Sequence, residues 1–261
     1  MRFRLRHALS LFFAGTLVPL AGFAQAEVTL NAGAKLVIDS NVNGSPDSPS
    51  KANQRSDSYL SLSTSVVYYT ALDAAKTRYF IGQLGAVSSV YNKFGNLDSS
   101  MLAASAGLYQ QLSPTWSGQL TGRGFKRNTK QSTRDSHGFG TTLEIKKQLS
   151  QSVWIKGVAD YEDNDANLQS FSYTGQTYGV YVGYLPFKDT FLNLGYSHNS
   201  RDFKSTAPFK SKTKTLFAEV SQRIAKNWYL NVGYAYMDND SNFAGTAYTN
   251  HVFSSGVSFS Y

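Results

Sequence analysis

From Glu27 to Tyr261 the chain alternates apolar and polar residues with a period of two, and no segment sustains the three-to-four spacing of an amphipathic helix. Val28, Leu30, Ala32, Ala34, Leu36 and Ile38 fall on one face of an extended chain, with Thr29, Asn31, Gly33 and Lys35 on the other. The pattern returns at Leu60–Val66, Leu102–Leu108, Phe139–Ile145, Tyr178–Tyr184, Leu192–Tyr196 and Trp228–Tyr236. In Thr77–Tyr91 and Trp116–Lys126 either face serves equally well as the apolar one. A chain so patterned folds into sheet, each strand showing an apolar and a polar face.

The connections alternate in length. Short links fall at Asp73–Lys76, Ser113-Pro114, Ser150–Ser152, Lys188-Asp189 and Lys226-Asn227. Longer polar ones fall between them at Ser40–Ser56, Phe94–Ser99, Lys130–Ser136, Asp163–Ser170, Asp202–Lys210 and Asp238–Asn250. Five turns and six loops join about twelve strands, with both ends of the chain on the turn side. A soluble sandwich shares the alternation but carries long charged side chains on its polar face. Here Gly, Ser, Thr, Asn and Tyr dominate that face, which suits the interior of a barrel with lipid outside. Hydrocarbon leaves no partner for the N–H and C=O groups of an open sheet edge, so the sheet must close. The expected fold is therefore all-β, a transmembrane antiparallel up-and-down β-barrel with short periplasmic turns and longer extracellular loops. Aromatic residues near strand ends, including Tyr68/Tyr69, Trp116, Trp154, Tyr184/Phe187 and Trp228/Tyr229, are expected to form the interfacial girdles. A mean hydropathy of −0.31 argues against a bundle of membrane helices.

The two ends agree. Arg2, Arg4 and Arg6 precede an apolar stretch from Ala8 to Gly22, and Ala24-Gln25-Ala26 has the form of a signal-peptidase site. Residues 1–26 thus read as a cleaved secretory leader and 27–261 as the barrel. The leader takes three of the 25 Lys and Arg, leaving 22 against 17 acids, too small a surplus to suggest nucleic-acid binding. There is no cysteine, which excludes a disulfide scaffold, a thiolate metal site and a cysteine nucleophile. The ending Ser254–Tyr261, with Gly256 and the hydrophobic Phe259 and Tyr261 at the third-last and last positions, resembles the signal by which the assembly machinery recognises bacterial outer-membrane barrels.

Strand parity points Lys35, Arg123, Lys146, Lys156 and Arg223 inward together with Glu144, Asp160 and Glu219. These eight are the candidate pore-lining residues. Twelve strands fall between eight-stranded barrels filled by side chains and sixteen-stranded porins with an aqueous channel, so a narrow porin-like or export channel is expected. Two other readings stand beside it. His198-Asn199-Ser200 has the H-x-S spacing found in outer-membrane phospholipase A and lipid A deacylases, where an imidazole activates a serine for acyl transfer. His198 and Ser200 share the lipid-facing parity of Leu192, Leu194 and Tyr196, but Arg201 follows where those families place Asn. The third reading is a structural or adhesive barrel acting through the loop Ser40–Ser56.

Asp163-Asn164-Asp165 and Asp238-Asn239-Asp240 begin like calcium loops, yet Leu168 and Phe243 occupy the sixth position where Gly is needed, and Thr174 and Thr249 the twelfth where Glu is needed. No metal or cofactor is expected. Basic clusters at Arg201, Lys204, Lys210, Lys212 and Lys214 and at Lys126, Arg127, Lys130 and Arg134 are placed to meet the phosphates of lipopolysaccharide among the outer-membrane lipids. Finally, the first strand with Ile38–Asn43 and the ending from Tyr234 to Tyr261 resemble the C-terminal barrel of surface lipoprotein assembly modifiers and related exporters. That resemblance implies a channel or export role, with small solutes or exported cargo as partners.

Overall fold

The computed structural model describes residues 27–47, 53–205, 209–243 and 246–261. The proposed leader lies outside them. Twelve strands form one closed antiparallel barrel in which each pairs with its neighbours in sequence: β1 (Glu27–Asp39), β2 (Asp57–Ala71), β3 (Arg78–Tyr91), β4 (Ser99–Gln111), β5 (Trp116–Thr129), β6 (Ser136–Gln148), β7 (Val153–Ala166), β8 (Tyr173–Phe187), β9 (Thr190–Phe203), β10 (Phe209–Ala225), β11 (Trp228–Ser241) and β12 (Tyr248–Ser260). β1 closes against β12 from Asn31↔Ser260 to Asp39↔Val252, and Leu30 and Tyr261 exchange both backbone hydrogen bonds at 2.9 Å.

The outer wall carries the apolar face. Leu36, Leu62, Leu84, Leu102, Leu120, Leu143, Val180, Leu194, Leu216, Val232 and Phe253 make an exposed belt with a member on nearly every strand. Exposed to water, so continuous an apolar surface drives association; in a bilayer it is the solvated face. Strands of 13–17 residues exceed the roughly 9–11 needed to cross hydrocarbon. The excess projects at the loop end.

That projection changes three expectations. Asp163–Asp165 and Asp238–Asp240 lie within β7 and β11, not in loops. Asp163 and Asp165 point outward and hold the Lys204 ammonium at 2.6 and 2.8 Å, while Asn164 points inward and is buried. Alternation therefore separates the side chains that a calcium loop converges, and among the described residues no group of three His, Cys, Asp or Glu is placed to hold a metal. Arg201 likewise lies in β9 and faces the lumen, its guanidinium 4.4 Å from the Tyr173 ring centre. Finally, Tyr68/Tyr69 and Trp228/Tyr229 each put one ring on each side of the wall, whereas Tyr184 and Phe187 both face out. Tyr68, Trp116, Tyr184, Phe187 and Trp228 face out at the turn end, whereas Tyr69, Trp154 and Tyr229 face in. The ambiguous β3 and β5 resolve through Leu84, Val90, Trp116 and Leu120, all exposed on the outer wall.

Candidate functional site: the barrel lumen

All eight charged side chains singled out above sit on the inward face of their strands, and most are matched in ion pairs. Lys35 on β1 reaches Glu219 on β10 at 3.0 Å, passing over β11 and β12. Glycines leave the room: a Cβ on Gly256 would run into the Ala34 carbonyl and Lys35, and one on Gly233 into Ser254 and toward Glu219. Arg123 on β5 forms a forked bond to Asp160 on β7, receives support from Thr142 at 3.0 Å, and reaches Glu162 at 2.8 Å. Gly140 on the intervening β6 lies beneath this guanidinium, where any Cβ would collide with it. Tyr173 donates its hydroxyl to Glu162 at 2.6 Å, and Arg201 covers the Tyr173 ring, so the network runs from β5 to β9. Lys156 bonds Glu144 at 3.1 Å, and Arg223 at the turn-end rim lies 3.4 Å from Asp189. Among the described residues, Lys146 alone of the five bases has no carboxylate within ion-pair distance; its ammonium sits 5.0 Å over the Trp154 ring.

The lumen is filled unevenly. Toward the loop end, Phe209, Ser211, Thr213 and Thr215 on β10, Ala235, Met237 and Asn239 on β11, and Tyr248, Asn250 and Val252 on β12 are buried. The chain after β1 packs onto them: Asn41, 2% exposed, donates to the Thr249 and Ser45 carbonyls and receives a bond from Ser45 N–H. Tyr173, Phe203 and Phe209 stack into a small aromatic core beside them. The opposite wall differs. Every inward residue of β4, from Ser99 through Ser105 to Tyr109, stays partly exposed, as do Gln83, Val87 and Ser89 on β3 and Gln119 and Thr121 on β5. Sequence parity picked out these eight positions but not Glu162 or Arg201, and it missed the buried side chains that narrow the loop end, where Asn41 meets Thr249 208 positions away.

His198 and Ser200 face outward on β9. They make no hydrogen bond with each other, and their register partners are Tyr178 and Lys214 for His198 and Gln176 and Lys212 for Ser200. A serine without a bonded base, beside an ammonium and with no carboxylate to orient the imidazole, lacks the arrangement that activates a nucleophile. Among the described residues no carboxylate bonds the His198 imidazole. The outward Lys210 and Lys214 are matched to Asp202 at 3.0 Å and Asp238 at 3.9 Å, with Lys212 between them.

No protein-family model matches the chain, and no curated protein matches it in sequence. In shape it is similar to an outer-membrane channel from Pseudomonas putida F1, with a TM-score of 0.60 at 11% identity over 94% of this chain and 100% of that one. It is also similar to the NanC porin, at 0.52 and 11% over 89% and 99%, and to the beta domain of the Bordetella autotransporter BrkA, at 0.51 and 13% over 90% and 99%. At such identities the likeness is one of fold, and the chain has the closed-barrel architecture of outer-membrane β-barrel proteins.

Proposed function

We propose that the protein is a narrow porin-like channel of the bacterial outer membrane, admitting small solutes by diffusion. One observation carries the reading: along β3–β5 the inward Ser, Gln, Thr and Tyr side chains stay partly exposed from loop end to turn end, although the far wall is packed. A polar wall that side chains do not seal is a path for water, and fixed charges beside it tune which ions follow. The secretory leader, the C-terminal signal at Gly256, Phe259 and Tyr261, and the lipid-facing belt support the location. In that setting the turns lie in the periplasm, and the outward lysines of β10 and Lys126 of β5 meet lipopolysaccharide phosphates. The likeness of the chain ends to surface lipoprotein assembly modifiers supports a transport role of the same kind.

The test is electrical. The refolded mature barrel, added to a planar bilayer, should give discrete single-channel steps; folded protein that inserts and never conducts overturns the proposal.

A further inference from the structure

The turn-end mouth of the lumen carries six inward aromatic rings from six strands: Tyr69, Tyr79, Tyr109, Trp154, Phe191 and Tyr229. Tyr79 and Tyr109 form one edge-on pair with centroids 6.0 Å apart, and Trp154 and Phe191 form a second, stacked pair at 6.1 Å. Among the described residues no ring contact joins the two pairs. Among the described residues none of the four tyrosine hydroxyls has a hydrogen-bond partner. Trp154 is seated by Gly183, whose missing side chain leaves the space that the indole fills. Two separate ring pairs left partly exposed on the lumen wall, with hydroxyls that take no partner among the described residues, are surface arranged for a ligand rather than a core.

The charge beside them points the same way. Lys146 stands directly opposite Lys156 in the β6–β7 register, and like charges facing each other across a sheet are destabilising. Glu144 relieves Lys156 and leaves Lys146 unmatched, with Ser117 as its partner on the β5 side. A stacked indole, an ammonium with no carboxylate in ion-pair reach among the described residues and the Ser117 hydroxyl opposite it in register fit a small ring that bears a carboxylate. The geometry points to a binding site at the turn-end mouth for cyclic carboxylates, with Trp154 and Phe191 against the ring and Lys146 on the carboxylate. The site deepens the channel reading and rests on it for its route of access.

Trp116 and Trp228 face lipid, so a Trp116→Phe/Trp228→Phe variant leaves Trp154 as the single reporter inside. Glucuronate and benzoate, each added to this refolded barrel, test the two sources of such a ring. Saturable change in Trp154 fluorescence with either, at least tenfold weaker after Lys146→Gln and at least tenfold weaker for glucose or acetate, is the expected result. Response to glucuronate alone assigns the site to sugar acids, and to benzoate alone to aromatic acids. Lack of a saturable response to both, an equal response to glucose, or one unchanged by Lys146→Gln overturns the site. Lys147→Gln, on the outer face beside Trp116, is the control for folding. Conductance measured on the same preparation separates the two claims: binding without conductance removes the channel and keeps the site, and conductance without binding does the reverse.

Discussion

Gly256 lies where β12 meets β1, and a methyl group there would press on the Ala34 carbonyl and the Lys35 backbone. In sequence its position resembles that of the glycine in an assembly signal; the structure adds a packing demand at the closing seam. Gly256→Ala should cost about 1–3 kcal/mol by overpacking, read as a lower guanidinium midpoint for the barrel in vesicles, with an unchanged midpoint refuting the steric account. The first turn offers a second test. Lys76 adopts φ 54°, and Asp73 accepts bonds from the backbone N–H groups of Thr77 and Arg78 at 2.8 and 3.0 Å and from the Thr77 hydroxyl. The Thr77 hydroxyl and then the Arg78 amide hold the Asp73 carboxyl below its ordinary value. A depressed folded value means that the turn is supported above the ordinary carboxylate range, about 3.9, and loses that support as pH falls through the lower folded value. Amide shifts of Thr77 and Arg78 should titrate together with a midpoint below that of a free aspartate; a midpoint at or above it contradicts the assignment.

At the level of strands, β5, β6 and β7 form one electrostatic unit. Arg123 neutralises Asp160 and Glu162 across Gly140, and these side chains are only 10–23% exposed. Arg123→Ala strands two carboxylates, and removal of one partner from such a pair costs about 3 kcal/mol where some water still reaches it. Adding Asp160→Asn and Glu162→Gln should restore part of that loss in the same unfolding assay. Lys146→Gln has the opposite sign, since it removes a facing like charge, and should stabilise the barrel by about 0.2–1 kcal/mol. Of the three, β6 is legible as half-buried sheet from its alternation while the apolar face of β5 is ambiguous, and Arg123, Lys146, Lys156 and Asp160 read as inward by parity. Which base takes which acid is not legible, because a period of two gives the face of a residue but not the lean of its side chain across the neighbouring strand. The acidic ends of β7 and β11 were misplaced in loops for a related reason: Asp and Asn favour turns locally, and only pairing with β8, β10 and β12 extends these segments as strand.

For the whole molecule, the pairing of the lumen bases decides which of them governs ion flow. Lys35, Arg123 and Lys156 are each neutralised by a neighbouring carboxylate, whereas Lys146 is not. Lys146→Gln should therefore move the reversal potential in a salt gradient toward cations by more than Lys35→Gln does, and an equal shift from both refutes the ranking. The aromatic doublets show the same division. Tyr68/Tyr69 and Trp228/Tyr229 read as interfacial girdles by position, yet one ring of each doublet enters the lumen, since adjacent residues of a strand cannot share a face.

Sequence by itself determined a barrel of about twelve strands, the sheet class, the lipid-facing side of most strands and eight of the inward charges, though not Glu162 or Arg201. These follow from backbone periodicity and from the rule that hydrocarbon tolerates no open edge. Tertiary structure alone decided that Lys35 meets Glu219 across 184 residues, that the loop-end lumen fills on one wall, and that Lys146 is left unmatched beside Trp154. The physical reason is closure: curling the sheet brings residues from distant strands within bonding range, and no local pattern encodes which ones will face each other across the lumen.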